Sequence, residues 1–303
     1  MKSMTTSCLK FSTASFCGKY QLSTFVLAEH EGGSLKPQSF SAIKAASSLG
    51  ENNHVSMLLA GSGSSLQQAA AHAASCHPSI SQVLLADSDI FIHSLAEPWA
   101  KLVHLVQQKG GYSHMVAASS SFGKNILPRA AALLDVSPIT DVTGISESRL
   151  IVRPIYAGNA LCTVRYTGSV PCMLTVRPAS FPVESMSADS KSNAAPVEHV
   201  DLSSFGEDGI GKSRYISQSS QVSERPDLGN ARVVITGWRA LKSANNFKLI
   251  EKLAERLGAA VGATRAAVDG VTLHSSMQVA DYGLVGDLFH VIPELLEKLP
   301  EKK

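Results

Sequence analysis

The sequence predicts an α/β protein with two parallel-sheet domains, and three observations carry that prediction. Short, predominantly apolar segments at 24–28, 55–60 and 83–86 alternate with helical stretches, the pattern of a parallel sheet covered by helices on both faces. The series gives way to a polar stretch at 183–222 and then begins again at Ala231. A chain of 303 residues is also long enough for two cores.

Taken in order, residues 24–28 read as the first strand. Pro37 opens a helix that runs through Ala42, Ile43 and Ala46 and stops at Gly50. The next strand, 55–60, ends on Gly61-Ser62-Gly63, and the Ala-rich run 66–76 reads as a helix. A strand at 83–86, a helix around 95–107, a strand at 114–118 and a helix around 122–134 continue the alternation. Parallel sheets of this kind bind ligands at the carboxyl ends of their strands, which marks the loops 61–63 and 119–123 as candidates. One Gly-x-Gly without a third glycine favours a plain turn at 61–63 over a nucleotide loop.

After Ser146 the texture changes. Segments 150–156, 160–166 and 172–176 are β-rich and partly alternating, suggesting an added hairpin or strand group. Residues 183–222, rich in Ser, Ala, Asp and Glu, are expected to form a surface loop and interdomain linker. The second α/β unit opens with a strand at 231–236 ending in Gly237. A helix at 247–257 follows, with Phe247, Leu249, Ile250, Leu253, Ala254 and Leu257 on one face and Gly258 closing it. A strand-like segment at 259–262, a helix start at 264–269 and a helical stretch at 284–299 interrupted by Pro293 complete the reading. The expected division is 1–22 as a removable presequence, 23–222 as the first α/β domain with its linker, and 223–303 as the second domain.

Composition excludes several classes. Hydrophobic residues make up 44% and charged residues 17%, the balance of an ordinary folded chain. No apolar run reaches the roughly 18–20 residues of a membrane helix, so no membrane insertion is expected. Lys2, Lys10 and Lys19 are the only charges before Glu29; without them the 27 basic residues fall to 24 against 25 acidic ones. That near-neutral balance argues against nucleic acid as a partner. The five cysteines form no Cys-x-x-Cys pair and no metal-spaced cluster, which points to reduced thiols; Cys162 reads as a buried small hydrophobe. Residues 1–22 are rich in Ser and Thr and lack acids, as organelle targeting segments do, although they hold no Arg.

The residues from Glu224 onward carry a family resemblance. Glu224-Arg-Pro-Asp-Leu228, Gly237-Trp-Arg-Ala-Leu-Lys-Ser243, Asn246-Phe-Lys-Leu249 and the run from Ala259 to Asp269 resemble the flavin domain of electron-transfer flavoprotein alpha subunits. Gln278-Val-Ala-Asp-Tyr-Gly283 and Asp287-Leu-Phe289 resemble that domain's end. In the first domain, the stretch from Phe122 to Arg129, Ile139-Thr-Asp141 and the stretch from Ile155 to Leu161 are similar as well. The resemblance implies two Rossmann-like or flavodoxin-like domains and a heterodimer with a beta subunit in the mitochondrial matrix. It also implies one FAD in the second domain and, usually, an AMP in the beta subunit. Electrons would come from acyl-CoA dehydrogenases and related flavoenzymes and pass to a membrane-bound ubiquinone oxidoreductase. An electron carrier without independent turnover is the implied role, and no acid/base pair or nucleophile arrangement in the sequence points elsewhere.

The resemblance also places site residues. Arg265 matches the cation beside the flavin ring, where a fixed guanidinium favours the negative charge gained on reduction. Thr264 stands where the family usually has Ser and keeps the hydroxyl for a hydrogen bond to FAD. Arg239, after the strand end at Gly237, matches a FAD-contacting arginine, although Trp238 and Ala240 replace the glycines usual beside it. Asp287 and Leu288 match a contact to the adenosine end, against the plainer reading of Asp287 as a solvated helical acid.

The largest departure lies between Asp269 and Gln278. Family members continue there through a strand-helix-strand region with a Gln-Thr-Gly-Lys and a Ser-Gly-Ala-Ile-Gln-His segment, both supplying flavin contacts. Only residues 270–277 connect the flanking matches here, so roughly fifty residues are absent, more than one βαβ unit. The second domain is therefore expected to be internally shortened, to expose apolar faces and strand edges, and to hold FAD poorly. His274 reads as a solvated loop residue rather than a substitute ligand. Two further classes stand beside the carrier: a flavin-free form acting only as partner of the beta subunit, and a nucleotide sensor built on the first domain, the latter by fold analogy alone.

Overall fold

The computed structural model describes residues 22–183, 194–203, 205, 213–217, 231, 233–237, 244–263 and 287–299. Its internal contacts separate two units, Met1–Ile216 and Ser217–Lys303. The expected presequence, the helix start at 264–269 and the shortened connection at 270–277 lie outside the described residues.

The first unit runs β1 (Ser23–Leu27), β2 (His30–Glu31), β3 (Ser34–Leu35), α1 (Pro37–Ser47), β4 (His54–Gly61), α2 (Gly63–Cys76), β5 (Ile80–Asp87), α3 (Ala96–Gly110), β6 (His114–Ala118) and α4 (Ser121–Leu133). It continues with β7 (Ile139–Val142), β8 (Gly144–Glu147), β9 (Leu150–Ile155), β10 (Ala160–Arg165), β11 (Cys172–Val176) and β12 (Val197–His199). Seven strands form one sheet in the order β12-β5-β4-β1-β6-β11-β7, and every pairing is parallel. A second, antiparallel sheet takes the order β10-β9-β8.

Strand β1 shows why the apolar runs are unbroken. Successive side chains on a strand leave opposite faces. Phe25 and Leu27 enter a core with Trp99 and Val103 of α3 and Ile126 of α4. Val26 and the adjoining Ala28 enter a separate core with Ile43 of α1 and Leu66 of α2. Both faces are covered, so every position favours an apolar residue. Burying each large side chain stabilises by about 1.5–3 kcal/mol.

Three sequence expectations need correction. Residues 183–222 are not wholly linker: Val197–His199 form β12, the outer strand beside β5, and Phe205 is buried against Phe91 with ring centroids 5.6 Å apart. All three β12 side chains face solvent, so the strand leaves no apolar signature. Its place rests on backbone bonds, with Val83 N–H donating to the Pro196 carbonyl at 2.9 Å and Val200 N–H to that of Leu85 at 2.8 Å. Cys162 is half-buried rather than buried, because β10 belongs to the small antiparallel sheet with one face open.

The second unit contributes β13 (Val234–Gly237), α5 (Ala244–Leu257), β14 (Ala260–Ala263) and α6 (Leu288–Lys298) among the described residues. The third correction falls here: α6 runs through Pro293 instead of breaking there, at the loss of one backbone hydrogen bond. On α5 the expected face forms, with Ile250, Leu253 and Ala254 buried, but Leu257 at its end is exposed. Gly258 ends the helix at φ 61°, a left-handed conformation that suits glycine, and Ala259 N–H closes onto the Ala254 carbonyl at 2.8 Å. The core is small: Ile250 and Leu253 meet Ile292 of α6, ringed by half-buried Ile235, Phe247, Val261 and Leu288. Val233 and Val234 remain 46% and 44% exposed, unlike any residue of β1.

Candidate functional site

In the second unit, β13 and β14 pair in parallel from Val234 opposite Ala260 to Gly237 opposite Ala263. The two strands therefore end side by side. The chain leaves this one carboxyl edge into residues 238–243 and 264–286, and Gly237, buried, brings no side chain to the edge. Carboxyl edges of parallel sheets are where α/β proteins receive ligands. Three predicted site residues, Arg239, Thr264 and Arg265, belong to the departing segments and lie outside the described residues.

The other two are described. Asp287 is the N-cap of α6: its Oδ1 accepts from Phe289 N–H at 2.9 Å, and its carbonyl accepts from His290 and Val291 N–H at 3.0 and 2.8 Å. Asp is a favoured residue there because its carboxylate satisfies a free helix N–H and complements the helix dipole. Leu288 is half-buried against the Ile250–Leu253–Ile292 core. Both residues have structural partners, and their side chains orient the start of α6.

In the first unit, both candidate loops lie at the carboxyl edge of the seven-stranded sheet, as β4 ends at Gly61 and β6 at Ala118. Strand order reverses around β1, whose neighbours are β4 on one side and β6 on the other. There Ser120 Oγ donates to Glu29 Oε1 and accepts from Gly123 N–H at 3.1 Å, capping α4 and holding a carboxylate at that helix start. Beyond it, Lys124 Nζ meets Asp141 Oδ1 at 3.1 Å, and Thr175 Oγ1 accepts from Ser119 Oγ and Asp141 N–H, both at 3.0 Å. Burial would raise the Asp141 carboxyl, but hydrogen bonds from Lys124 and Ser119 and the charges of Lys124 and Arg177 hold it below the usual range.

A cavity of about 210 Å³ opens beside β1 and β4, lined by Glu29, Lys36, Ser62, Phe91, Trp99 and Phe122 among others. Sequence reading missed Glu29 and Trp99 here, although an acid directly after an apolar strand was a usable signal. Burial pushes the Cys76 thiol up to about 11 and that of Cys172 to about 12, so neither is an activated nucleophile. No group of three His, Cys, Asp or Glu among the described residues is placed to hold a metal ion. No described helix is long and apolar enough to cross a membrane.

A family model described as "Electron transfer flavoprotein domain" matches residues 24–204, and one described as "Electron transfer flavoprotein FAD-binding domain" matches residues 227–287. The electron transfer flavoprotein subunit alpha, mitochondrial, of Arabidopsis thaliana is 60% identical over 329 residues, covering 93% of this chain and 91% of its own. The protein of the same name from Oryza sativa subsp. indica is 55% identical over 331 residues, covering 93% and 92%. The electron transfer flavoprotein subunit alpha of Pseudomonas aeruginosa is 34% identical over 321 residues, covering 90% of this chain and 99% of its own. The Arabidopsis alignment takes in 93% of 303 residues, about 282, so roughly 47 of its 329 positions hold no residue of this chain.

Proposed function

We propose that this chain, which belongs to the electron transfer flavoprotein alpha-subunit family, is the FAD-binding half of a heterodimeric electron carrier, completed by a beta subunit. In this reading it works in the mitochondrial matrix, taking electrons from acyl-CoA dehydrogenases and related flavoenzymes. It passes them to a membrane-bound ubiquinone oxidoreductase and turns over no substrate of its own. The single observation that supports the flavin site is the shared carboxyl edge of β13 and β14, Gly237 beside Ala263. It brings the segments bearing Arg239, Thr264 and Arg265 out from neighbouring strands of one sheet.

Bound FAD supplies the redox chemistry, and the protein supplies binding, orientation and charge. Arg265 is assigned the cation that favours added negative charge on the flavin ring, Thr264 a hydroxyl hydrogen bond, and Arg239 a charge facing the pyrophosphate. Asp287 and Leu288 support the adenosine end by setting the start of α6. The shortening, placed between Asp269 and Gln278, removes further flavin contacts, so FAD is held more weakly than in full-length relatives.

The test is the visible absorbance of residues 23–303 co-expressed with a matching beta subunit. Flavin bands that wash out on gel filtration but return on adding FAD fit a weakened site. Stoichiometric, non-exchanging flavin would refute the weakened site, and a colourless complex that takes up no added FAD would refute flavin binding altogether.

A further inference from the structure

We propose that residues 213–216 form a releasable strap on the first unit, clipped at Glu97 and His93, and that the strap decides where the chain parts from that unit. The strap belongs to the first unit alone and does not depend on flavin binding.

The anchors along this part of the chain differ in kind. Leu202 is half-buried against the core that holds Trp99 and Val103, and Phe205 is buried in it. The Phe205 ring meets Phe91 edge-on, Lys101 Nζ lies 5.3 Å from its centroid, and its N–H donates to the Leu202 carbonyl at 2.8 Å. Pulling so large an apolar side chain into water is costly, so Phe205 is the firm anchor. The strap has nothing comparable. Among the described residues no backbone hydrogen bond ties 213–216 to the first unit, Ser213 and Arg214 are exposed, and Ile216 is 85% exposed. Two side-chain contacts hold it. Ser213 Oγ donates to Glu97 Oε1 at 3.0 Å, and the Tyr215 ring lies flat on His93, with centroids 3.4 Å apart and planes inclined by 10°.

The first unit itself positions both receiving side chains. Glu97 lies in the first turn of α3, whose N-cap residue Leu95 brings no side-chain hydrogen bond, so the helix dipole favours a carboxylate there. Arg129 Nη1, from α4, reaches the same Glu97 oxygen at 3.4 Å. Hydrogen bonds from its own N–H and from Ser213 hold the Glu97 carboxyl below the usual carboxylate range, with Arg129 assisting and burial opposing. Glu97 therefore keeps a charged partner whether the strap is closed or open. His93, half-buried, follows the buried Phe91 in the turn that leads into α3. One surface hydrogen bond and one ring stack are set against the chain entropy of ordering the strap, a close balance that loss of either contact tips toward release.

Release changes the length of chain available to the second unit. With Tyr215 clipped, the 18 residues 216–233 lie between it and β13; with Phe205 the last anchor, the 28 residues 206–233 do. A fully extended residue spans at most about 3.3–3.6 Å, so opening the strap adds roughly 35 Å to the longest reach of that chain.

The experiment uses the full chain with ¹³C-labelled histidine, in which each imidazole gives one Hε1 signal and His93→Ala identifies its own by deletion. The ring current of Tyr215 should hold the His93 signal upfield. Tyr215→Ala should move it downfield, and Ser213→Ala, which removes the hydroxyl bonded to Glu97 and leaves both rings in place, should move it part of the way. First-unit thermal midpoints should not change in these variants, since none of the three side chains lies in the core. Trypsin supplies a second measurement, because cleavage after Arg214 follows the open population. His93→Ala leaves Arg214 and its neighbours intact and should speed that cut about two- to tenfold. A His93 signal that Tyr215→Ala leaves in place would overturn the stack. A signal that Ser213→Ala leaves in place, or unchanged cleavage after Arg214 in His93→Ala, would overturn the strap as one releasable unit.

Discussion

Replacing Leu253 by Ala tests whether the small core of the second unit holds that unit by itself. Leu253 is 7% exposed and packs with Ile250 and Ile292, each as deeply buried. Leu-to-Ala changes at such sites cost about 2–5 kcal/mol. The unit, residues 217–303, has 87 residues, for which ordinary stabilities run from roughly 4 to 13 kcal/mol. A loss of about 3 kcal/mol multiplies its open population by on the order of 150. Hydrogen exchange read by mass spectrometry separates the two units by peptide. Amides of α5 and α6 should exchange about a hundredfold faster in Leu253→Ala, while those of β4 and β6 keep their wild-type rates. Equal acceleration of β4 and β6 would refute the independence of the two cores. Unchanged exchange in α5 would refute the central place given to Leu253.

Three further outcomes are expected. Gly123→Ala directs a Cβ onto the carbonyl oxygen of Ala118, a backbone obstacle, and should lower the urea stability of the first unit by about 1–3 kcal/mol; an unchanged midpoint would contradict the close α4–β6 approach. Burial holds the His114 imidazole below its usual range, with Arg149 acting the same way and the hydrogen bond to the Ser148 carbonyl opposing. The unfolded chain therefore takes up that proton first, so first-unit stability should fall as pH drops through about 6.5, and His114→Gln should flatten this part of the pH profile; a profile no flatter than wild type would count against it. In the heterodimer reconstituted with FAD, Arg265→Ala should lower the flavin reduction potential and Arg265→Lys should recover part of it, read by redox titration; identical potentials would remove Arg265 from the ring's surroundings.

The elements legible in the sequence are those whose pattern is local. Strands β1, β4 and β6 are buried on both faces and so appear as plain apolar runs. Helix α5 declares itself by the spacing of Phe247, Ile250, Leu253 and Ala254 and by Gly258 behind it. Strand β12 was illegible because its three side chains face solvent and only its backbone is used. Strand β7 carries Asp141 at φ 57°, a residue and conformation that read as a turn. The contact between Glu29 and Ser120 joins residues 91 apart and exists only because β1 lies beside β6, which no window along the chain reveals. Among the site residues, the sequence named Asp287, but the hydrogen bond to Phe289 that makes it a helix cap needed coordinates. Arg239, Thr264 and Arg265 rest on family resemblance, since no local pattern marks an arginine as a flavin contact.

Strand β12 also sets how the first unit answers a mechanical load. Among the described residues it is the last strand of the first unit, and it holds the sheet margin by three residues alone. A pull on the chain beyond it would work first against Tyr215, stacked on His93, and Phe205, buried on Phe91, and then on β12 before any inner strand. Its few hydrogen bonds to β5 would yield while the five inner strands, paired on both sides, stayed whole. The margin acts as a tear strip: Phe205 and one short strand can peel away while β1 and β4 keep their pairing in the interior of the sheet.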